Sequence, residues 1–94
     1  MMIDLNQYIP IQKNKAKKLK MTWIDDIVIS PLKNKKYRII FKDGTNVDYG
    51  SFGMNDFLIT NDKKRKELFH QRFKNNKGYN NYNSGLYYSS RLLW

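Results

Sequence analysis

An alternating run centred on Asp43-Gly44 restricts the fold of this chain more than any other feature. The apolar positions of its two halves are Tyr37, Ile39 and Phe41 before the turn, and Val47 and Tyr49 after it. Successive side chains of a β-strand point to opposite faces, and Asp-Gly suits a tight turn that needs a positive φ. The run therefore predicts a β-hairpin over residues 35–50, in which one face packs and the other presents Arg38 and Lys42.

The segments on either side of the hairpin add a strand and a helix. Residues 22–30 are rich in β-branched side chains and end at Ser30-Pro31, which predicts a strand that extends the sheet. Thr60, Asn61 and Asp62 are good N-caps, and a helix is predicted over residues 63–75 with a narrow apolar stripe. That stripe consists of Leu68, Phe69 and Phe73.

The C-terminal residues predict a polar loop followed by an apolar segment. Residues 77–85 are polar and punctuated by glycine, whereas residues 86–94 contain a dense apolar run ending in Trp94. We expect that run to fold back on the sheet as a short helix or an extended segment. The predicted fold class is α+β: a three-stranded antiparallel sheet with a basic helix and a C-terminal aromatic segment, forming one small domain over residues 21–94.

The first 20 residues predict an extended arm rather than part of that domain. Pro10 argues against a helix, and the segment has two parts, apolar anchors followed by a flexible basic linker. The anchors are Ile3, Leu5, Tyr8, Ile9 and Ile11, and the linker cations are Lys13, Lys15, Lys17, Lys18 and Lys20. Such an arm is suited to binding a partner, with its order depending on the assembly.

Charge defines the class of partner. Lys and Arg number 18 against 8 Asp and Glu, giving a net charge of +10 over 94 residues. The excess of Lys over Arg, 14 to 4, is also what AT-rich codons would produce, but codon bias does not explain the shortage of acids. The field of such a chain attracts polyanions or acidic surfaces.

The predicted nucleic-acid contacts cluster on the basic helix and the residues after it. The phosphate contacts are Lys63, Lys64, Arg65, Lys66, Arg72, Lys74 and Lys77, with Arg38 and Lys42 secondary. Cations in the first turn oppose the helix dipole, which suggests that they serve an external anion. Two alternatives are open for Tyr79 and Tyr82: they stack on bases, or they belong to the core.

Catalytic and metal chemistry find little support in the composition. The chain has no Cys and one His, His70, so thiolate and histidine-cluster metal sites are excluded. The acid pair Asp25-Asp26 would point to opposite faces of a strand, so the two carboxylates could not share a metal or act as an acid/base pair without a bulge. No apolar run approaches the roughly 20 residues needed to span a bilayer. We therefore expect an intracellular protein, soluble or within an assembly, without enzymatic activity, cofactor, metal or membrane insertion.

Residues 43–94 also resemble a family of short basic proteins that large DNA viruses of algae and amoebae encode. The matching positions are Asp43-Gly44, Tyr49-Gly50, Gly53, Asp56-Phe57, Asp62, Arg65, Phe69, Arg72, Tyr79-Asn80, Tyr87-Tyr88-Ser89 and Leu92-Leu93-Trp94. The chain departs from the family pattern at Phe73, where a histidine is usual, and at Arg91, where a tryptophan is frequent. The resemblance implies a viral origin and a place in or near the virion.

Charge and resemblance together predict a non-enzymatic virion protein that binds DNA or bridges the genome to the inner capsid. Its DNA contacts would go mainly to phosphates, which position a protein without reading sequence. The alternative is a minor capsid or cement protein whose basic segments bind acidic coat subunits without nucleic acid.

Overall fold

The three predicted strands form one antiparallel sheet in the order β1-β2-β3 in a computed structural model that describes residues 4–94. The strands are β1 (Ile24–Ile29), β2 (Lys35–Phe41) and β3 (Asn46–Ser51). Ile39 lies opposite Ile27 in β1 and Val47 in β3. The predicted α+β class, the sheet and the hairpin are confirmed.

The alternation in β2 places its aromatic and aliphatic side chains in the core. Tyr37, Ile39 and Phe41 are buried, and Tyr49 of β3 is fully buried beside Tyr37 at a ring-centroid distance of 5.7 Å. Aromatic pairs at this spacing add to the stabilisation from area burial. This face of the sheet therefore carries the core.

The hairpin turn is a three-residue loop over residues 42–44. The Phe41 amide donates to the Thr45 carbonyl at 2.8 Å, and the Gly44 amide donates to the Phe41 carbonyl at 2.9 Å. Gly44 has φ +89°, whereas Asp43 accepts hydrogen bonds from the Thr45 amide and hydroxyl. Only the glycine needs the left-handed region, which is usual for a three-residue hairpin loop.

The predicted extended arm and flexible linker are wrong for the described residues. Leu5–Tyr8 form a 3-10 turn, and Ile9–Lys18 form helix α1. Pro10 lies in the first turn of α1, where a missing N–H has no intrahelical partner to lose. The helix packs on the core through Gln12 and Ala16, one turn apart, and neither marks a hydrophobic stripe in the sequence.

The predicted apolar anchors of the arm differ in their burial. Leu5, Tyr8 and Ile9 pack against the core, whereas Ile11 is exposed. Ile3 lies outside the described residues. The Tyr37 hydroxyl donates to the Leu5 carbonyl at 2.9 Å, so this segment is tied to β2.

Two capped helices follow the sheet. Helix α2 (Phe57–Thr60) is capped by Asp56, and α3 (Lys63–Phe73) is capped by Asp62, one of the three predicted caps. Asn61 ends α2 with φ +55°, a left-handed position that asparagine tolerates. The predicted basic helix is confirmed and ends at Phe73, two residues earlier than expected.

The C-terminal segment is helical and closes the core. A 3-10 turn (Lys77–Asn80) precedes α4 (Gly85–Tyr88) and a π-helical turn (Ser89–Leu93). Tyr88, Leu92 and Leu93 are buried, and the Trp23 indole N–H donates to the Tyr88 hydroxyl at 2.8 Å. The prediction that this run folds onto the sheet is confirmed. No helix within residues 4–94 is long and apolar enough to cross a membrane.

Candidate polyanion-binding surface and adjoining groove

Helix α3 carries its own anion at its N-terminus. A carboxylate oxygen of Asp62 accepts from the amides of Lys64 and Arg65, both at 3.1 Å. This cap satisfies orphan N–H groups and offsets part of the unfavourable cation–dipole interaction. Any external anion would therefore meet the side chains of the helix rather than its backbone amides.

The cations of α3 are not neutralised by acids. The ion pairs within residues 4–94 are Lys13–Asp26, Lys36–Asp56 and Arg38–Asp48, and none includes a residue of α3. We call Lys63, Lys64, Arg65, Lys66, Arg72 and Lys74 the α3 basic surface. Of these, Lys66 is partly buried with its ammonium 4.6 Å from the centre of the Phe57 ring, and the others are exposed. The predicted phosphate-binding residues thus lie along α3 and at its C-cap, Lys74, and all except Lys66 are exposed.

Arg38, a predicted secondary contact, is engaged inside the protein. Its Nε donates to Asp48 Oδ1 at 2.9 Å and its Nη2 to Oδ2 at 3.1 Å. Ser30 Oγ donates to the same Asp48 oxygen at 2.7 Å. The Arg38 guanidinium holds the pKa of Asp48 below its ordinary value. The Arg38 side chain therefore forms an ion pair between β2 and β3 and is not a free cation.

The predicted tyrosine pair is divided between two places. Tyr79 is partly buried, with its hydroxyl 2.7 Å from His70 Nδ1. Tyr82 is 52% exposed, and its ring lies 5.7 Å from that of Trp23 and 6.4 Å from that of Phe41. Only Tyr82 offers a largely open ring, and its ring contacts are at the β1–β2 end rather than with α3.

A groove of about 610 Å³ runs along the inner side of α3. We call it the α3 groove. Arg65, Leu68, Phe69, Arg72 and Phe73 line it from α3, with Leu93 and Trp94 from the C-terminal segment and Lys35, Lys36, Met54 and Asp56 from the sheet side. Two members of the α3 basic surface, Arg65 and Arg72, therefore border an apolar floor, whereas Lys63, Lys64 and Lys74 do not line it.

Aromatic stacking organises this floor. The rings of Phe69 and Trp94 are parallel, 4.7 Å apart at 4°, and Phe73 lies 4.7 Å from Phe69. The guanidinium carbon of Arg65 is 5.6 Å from the Trp94 ring centre, and that of Arg72 is 5.1 Å from the Phe73 ring centre. Cation–π attraction of this kind holds the two arginines against the groove.

A buried ion pair lies on the sheet side of the α3 groove. Lys36 Nζ donates to Asp56 Oδ2 at 2.7 Å and also to the Met54 carbonyl, and both charged side chains are 4% exposed. The other Asp56 oxygen accepts from the Ile59 amide at 3.3 Å and so caps α2. The sequence did not predict the burial of Lys36, because alternation places it on the face opposite Tyr37, where exposure is expected.

Lysines of α1 and of the residues just after it form a second basic cluster. Lys13, Lys17 and Lys20 border a groove of about 500 Å³ together with Lys42 from the hairpin turn. Lys18 is exposed, and Lys13 pairs with Asp26 at 2.9 Å. The sequence separates Lys42 from the others by more than 20 positions, so only the fold brings them together.

Lys15 is oriented differently from the other lysines of α1. Its Nζ donates to the Leu92 carbonyl at 3.5 Å, which joins α1 to the C-terminal segment. Burial lowers its pKa, and the charge of Lys66 lowers it further. Lys15 is therefore partly a structural residue, although the sequence groups it with the linker cations.

His70 contacts Tyr79, and within residues 4–94 no three His, Asp or Glu side chains lie close enough to hold a metal ion. The described side chains offer attraction of anions by exposed Lys and Arg beside two grooves that also have apolar lining residues.

Residues 25–73 match the model of a family of unknown function, DUF5754. That match covers 49 of the 94 residues, more than half of the chain. The chain belongs to the DUF5754 family. No curated protein and no solved structure matches it.

The DUF5754 match spans β1 to α3 and leaves out α1 and the C-terminal segment. The matched part contains the Lys36–Asp56 pair, the Asp62 cap, and both arginines of the α3 groove. Trp94, on which Arg65 packs, comes from outside it. Within this chain the groove is therefore completed by residues beyond the matched segment.

Proposed function

We propose that this DUF5754 protein is a non-enzymatic, nucleic-acid-binding protein that contacts phosphates through the α3 basic surface. The observation that carries the proposal is the set of exposed cations on α3 and at Lys74 that pair with no acid in the described part of the chain. Unpaired Lys and Arg along one element provide the electrostatic term that dominates non-specific nucleic-acid binding.

The number of phosphate contacts predicts how strongly the affinity for DNA depends on salt concentration. If about six cations each neutralise one phosphate of duplex DNA, log affinity falls with log salt at a slope near −5. Fluorescence anisotropy of a labelled duplex, titrated across salt concentrations, measures that slope. A flat salt dependence, or no binding at low salt, would contradict the proposal.

A charge-matched pair of variants distinguishes binding at the α3 basic surface from attraction by the net charge of the whole chain. Lys63→Gln/Lys64→Gln/Lys74→Gln removes three charges from the α3 basic surface, and the slope should become shallower by about 3. Lys17→Gln/Lys18→Gln/Lys33→Gln removes three exposed charges elsewhere and should leave most of the slope intact. Equal losses in both variants would show that net charge, and not α3, determines binding.

Association with a virion is the second part of the proposal, and its support is the resemblance of residues 43–94 to proteins of large DNA viruses. Disruption of purified virions, followed by separation of genome and shell, tests it directly. Co-fractionation with the genome is expected. Recovery with the shell alone would favour the cement-protein alternative, and absence from the virion would contradict both.

A further inference from the structure

The α3 groove presents apolar side chains that nothing in the described chain covers. Leu68 is 53% exposed and Met54 is 50% exposed, and both line the groove beside the half-buried rings of Phe69 and Phe73. Exposed apolar side chains that cluster in a concave surface are typical of interaction sites.

The groove combines this floor with uncompensated positive charge. Its acids, Asp48 and Asp56, are already paired with Arg38 and Lys36. Three other lining cations, Lys35, Arg65 and Arg72, take part in no ion pair within residues 4–94. A ligand of matching character would place acidic groups around an apolar centre.

Nucleobases fit this groove poorly, because the aromatic rings that line it are already in contact with other side chains. The Trp94 ring is 8% exposed and stacks on that of Phe69, and the guanidinium carbons of Arg65 and Arg72 lie 5.6 Å and 5.1 Å from the ring centres of Trp94 and Phe73. Base binding by stacking needs an open ring face. The accessible floor is instead aliphatic, at Leu68 and Met54, which suits an apolar protein side chain.

We propose that the α3 groove binds an acidic segment of a protein partner, with an apolar side chain on Leu68 and Met54 and flanking carboxylates on Arg65 and Arg72. Arg65 and Arg72 are seven positions apart on α3, so they are separated by about 10 Å along its axis at 1.5 Å per residue. The partner's carboxylates must have the same spacing, as at positions i and i+7 of a helix. This site shares Arg65 and Arg72 with the α3 basic surface, whereas Lys63, Lys64 and Lys74 lie outside it.

The test uses a fluorescein-labelled synthetic helical peptide with two glutamates seven positions apart and leucines between them on one face. A second peptide has glutamine in place of both glutamates. We expect saturable anisotropy binding of the acidic peptide and at least about fivefold weaker binding of the glutamine peptide, because charge-assisted pairs with arginine are lost.

Matched variants test whether the peptide binds in the α3 groove. Arg72→Gln should weaken peptide binding about fivefold to tenfold, whereas Lys74→Gln, with the same charge loss two positions away and outside the groove, should change it less than about twofold. Leu68→Ser should weaken it about fivefold by removing apolar floor. Because Leu68 is 53% exposed, this variant should retain the fold, which far-UV circular dichroism checks.

Three outcomes would overturn the assignment. They are no saturable binding, equal binding of the two peptides, and equal effects of Arg72→Gln and Lys74→Gln. Binding of a short single-stranded oligonucleotide that Leu68→Ser weakens would assign the groove to nucleic acid instead. The duplex-DNA measurements with the lysine variants are independent of all these results, so failure of one proposal is distinguishable from failure of the other.

Discussion

Replacing Lys36 with methionine tests the buried Lys36–Asp56 ion pair. Lys36→Met keeps most of the apolar stem and removes the ammonium, which leaves the buried Asp56 carboxylate without its cation. A buried charge that loses its partner retains the cost of desolvation and forfeits the attraction that offset it. We therefore expect a large loss of stability from a substitution that is nearly equal in volume.

The expected loss is a large part of the total free energy of unfolding. Breaking a buried pair by removing one partner costs about 3–5 kcal/mol, and a chain of 94 residues has about 5–14 kcal/mol in all at 0.05–0.15 kcal/mol per residue. At about 4–8 °C per kcal/mol, the Tm should fall by at least about 12 °C. Asp56→Asn added to Lys36→Met removes the orphaned charge and keeps an acceptor for the Ile59 amide, so about 2 kcal/mol or more should return.

Urea unfolding of the wild type, both single variants and the double variant measures the cycle, with tryptophan fluorescence and circular dichroism as probes. Coincident transitions by the two probes establish that unfolding is two-state. The reasoning fails if Lys36→Met costs less than about 1 kcal/mol, since a charge left in water needs no partner. It also fails if the double variant is no more stable than Lys36→Met, because the two side chains would then be uncoupled.

Three further substitutions test other parts of the structure. Gly50 and Gly53 both have positive φ, +80° and +93°, but a Cβ at Gly50 would lie 2.9 Å from Leu93 Cδ1, whereas nothing is within 4 Å at Gly53. In urea unfolding, Gly50→Ala should therefore cost about 1–3 kcal/mol more than Gly53→Ala, and equal losses would contradict the close contact. Asp62→Ala should cost about 0.5–2 kcal/mol by removing the cap of α3, and an unchanged urea midpoint would show that the cap contributes nothing. Burial raises the pKa of Tyr88 to about 12, above the unfolded value of about 10. The contribution of the neutral Tyr88 hydroxyl to the free energy of unfolding is therefore complete below pH 10 and is lost as the pH rises towards 12. Tyr88→Phe should lessen the fall in urea midpoint over that range, and an identical fall in both proteins would contradict the shift.

Local patterns in the chain predicted the sheet and α3 because their determinants are neighbours in sequence. Side-chain alternation with period two decides which face of β2 is buried, and the Asp62 cap acts on amides two and three positions away. The exposed cations of α3 were predictable for the same reason, since a helix with a narrow apolar stripe exposes the rest of its surface.

The N-terminal helix was not predictable from its own pattern. Proline, which breaks a helix interior, is favourable in a first turn, and the distinction depends on where the helix begins. The core-facing residues of α1 are Gln12 and Ala16, and burial of Gln12 is stabilised by the Tyr49 hydroxyl, 37 positions away. Without that partner a buried glutamine would be unfavourable.

Residues close together in the chain thus specified the hairpin and the capped basic helix, because alternation and capping act over a few positions, and the net positive charge follows from composition without any structure. Long-range packing decided the rest. It buried Lys36 against Asp56, paired Arg38 with Asp48, gathered Lys42 among the lysines of α1, and placed Trp94 beneath Arg65. Each of these depends on contacts between residues at least 10 positions apart, and burial and pairing change what a charged side chain can bind.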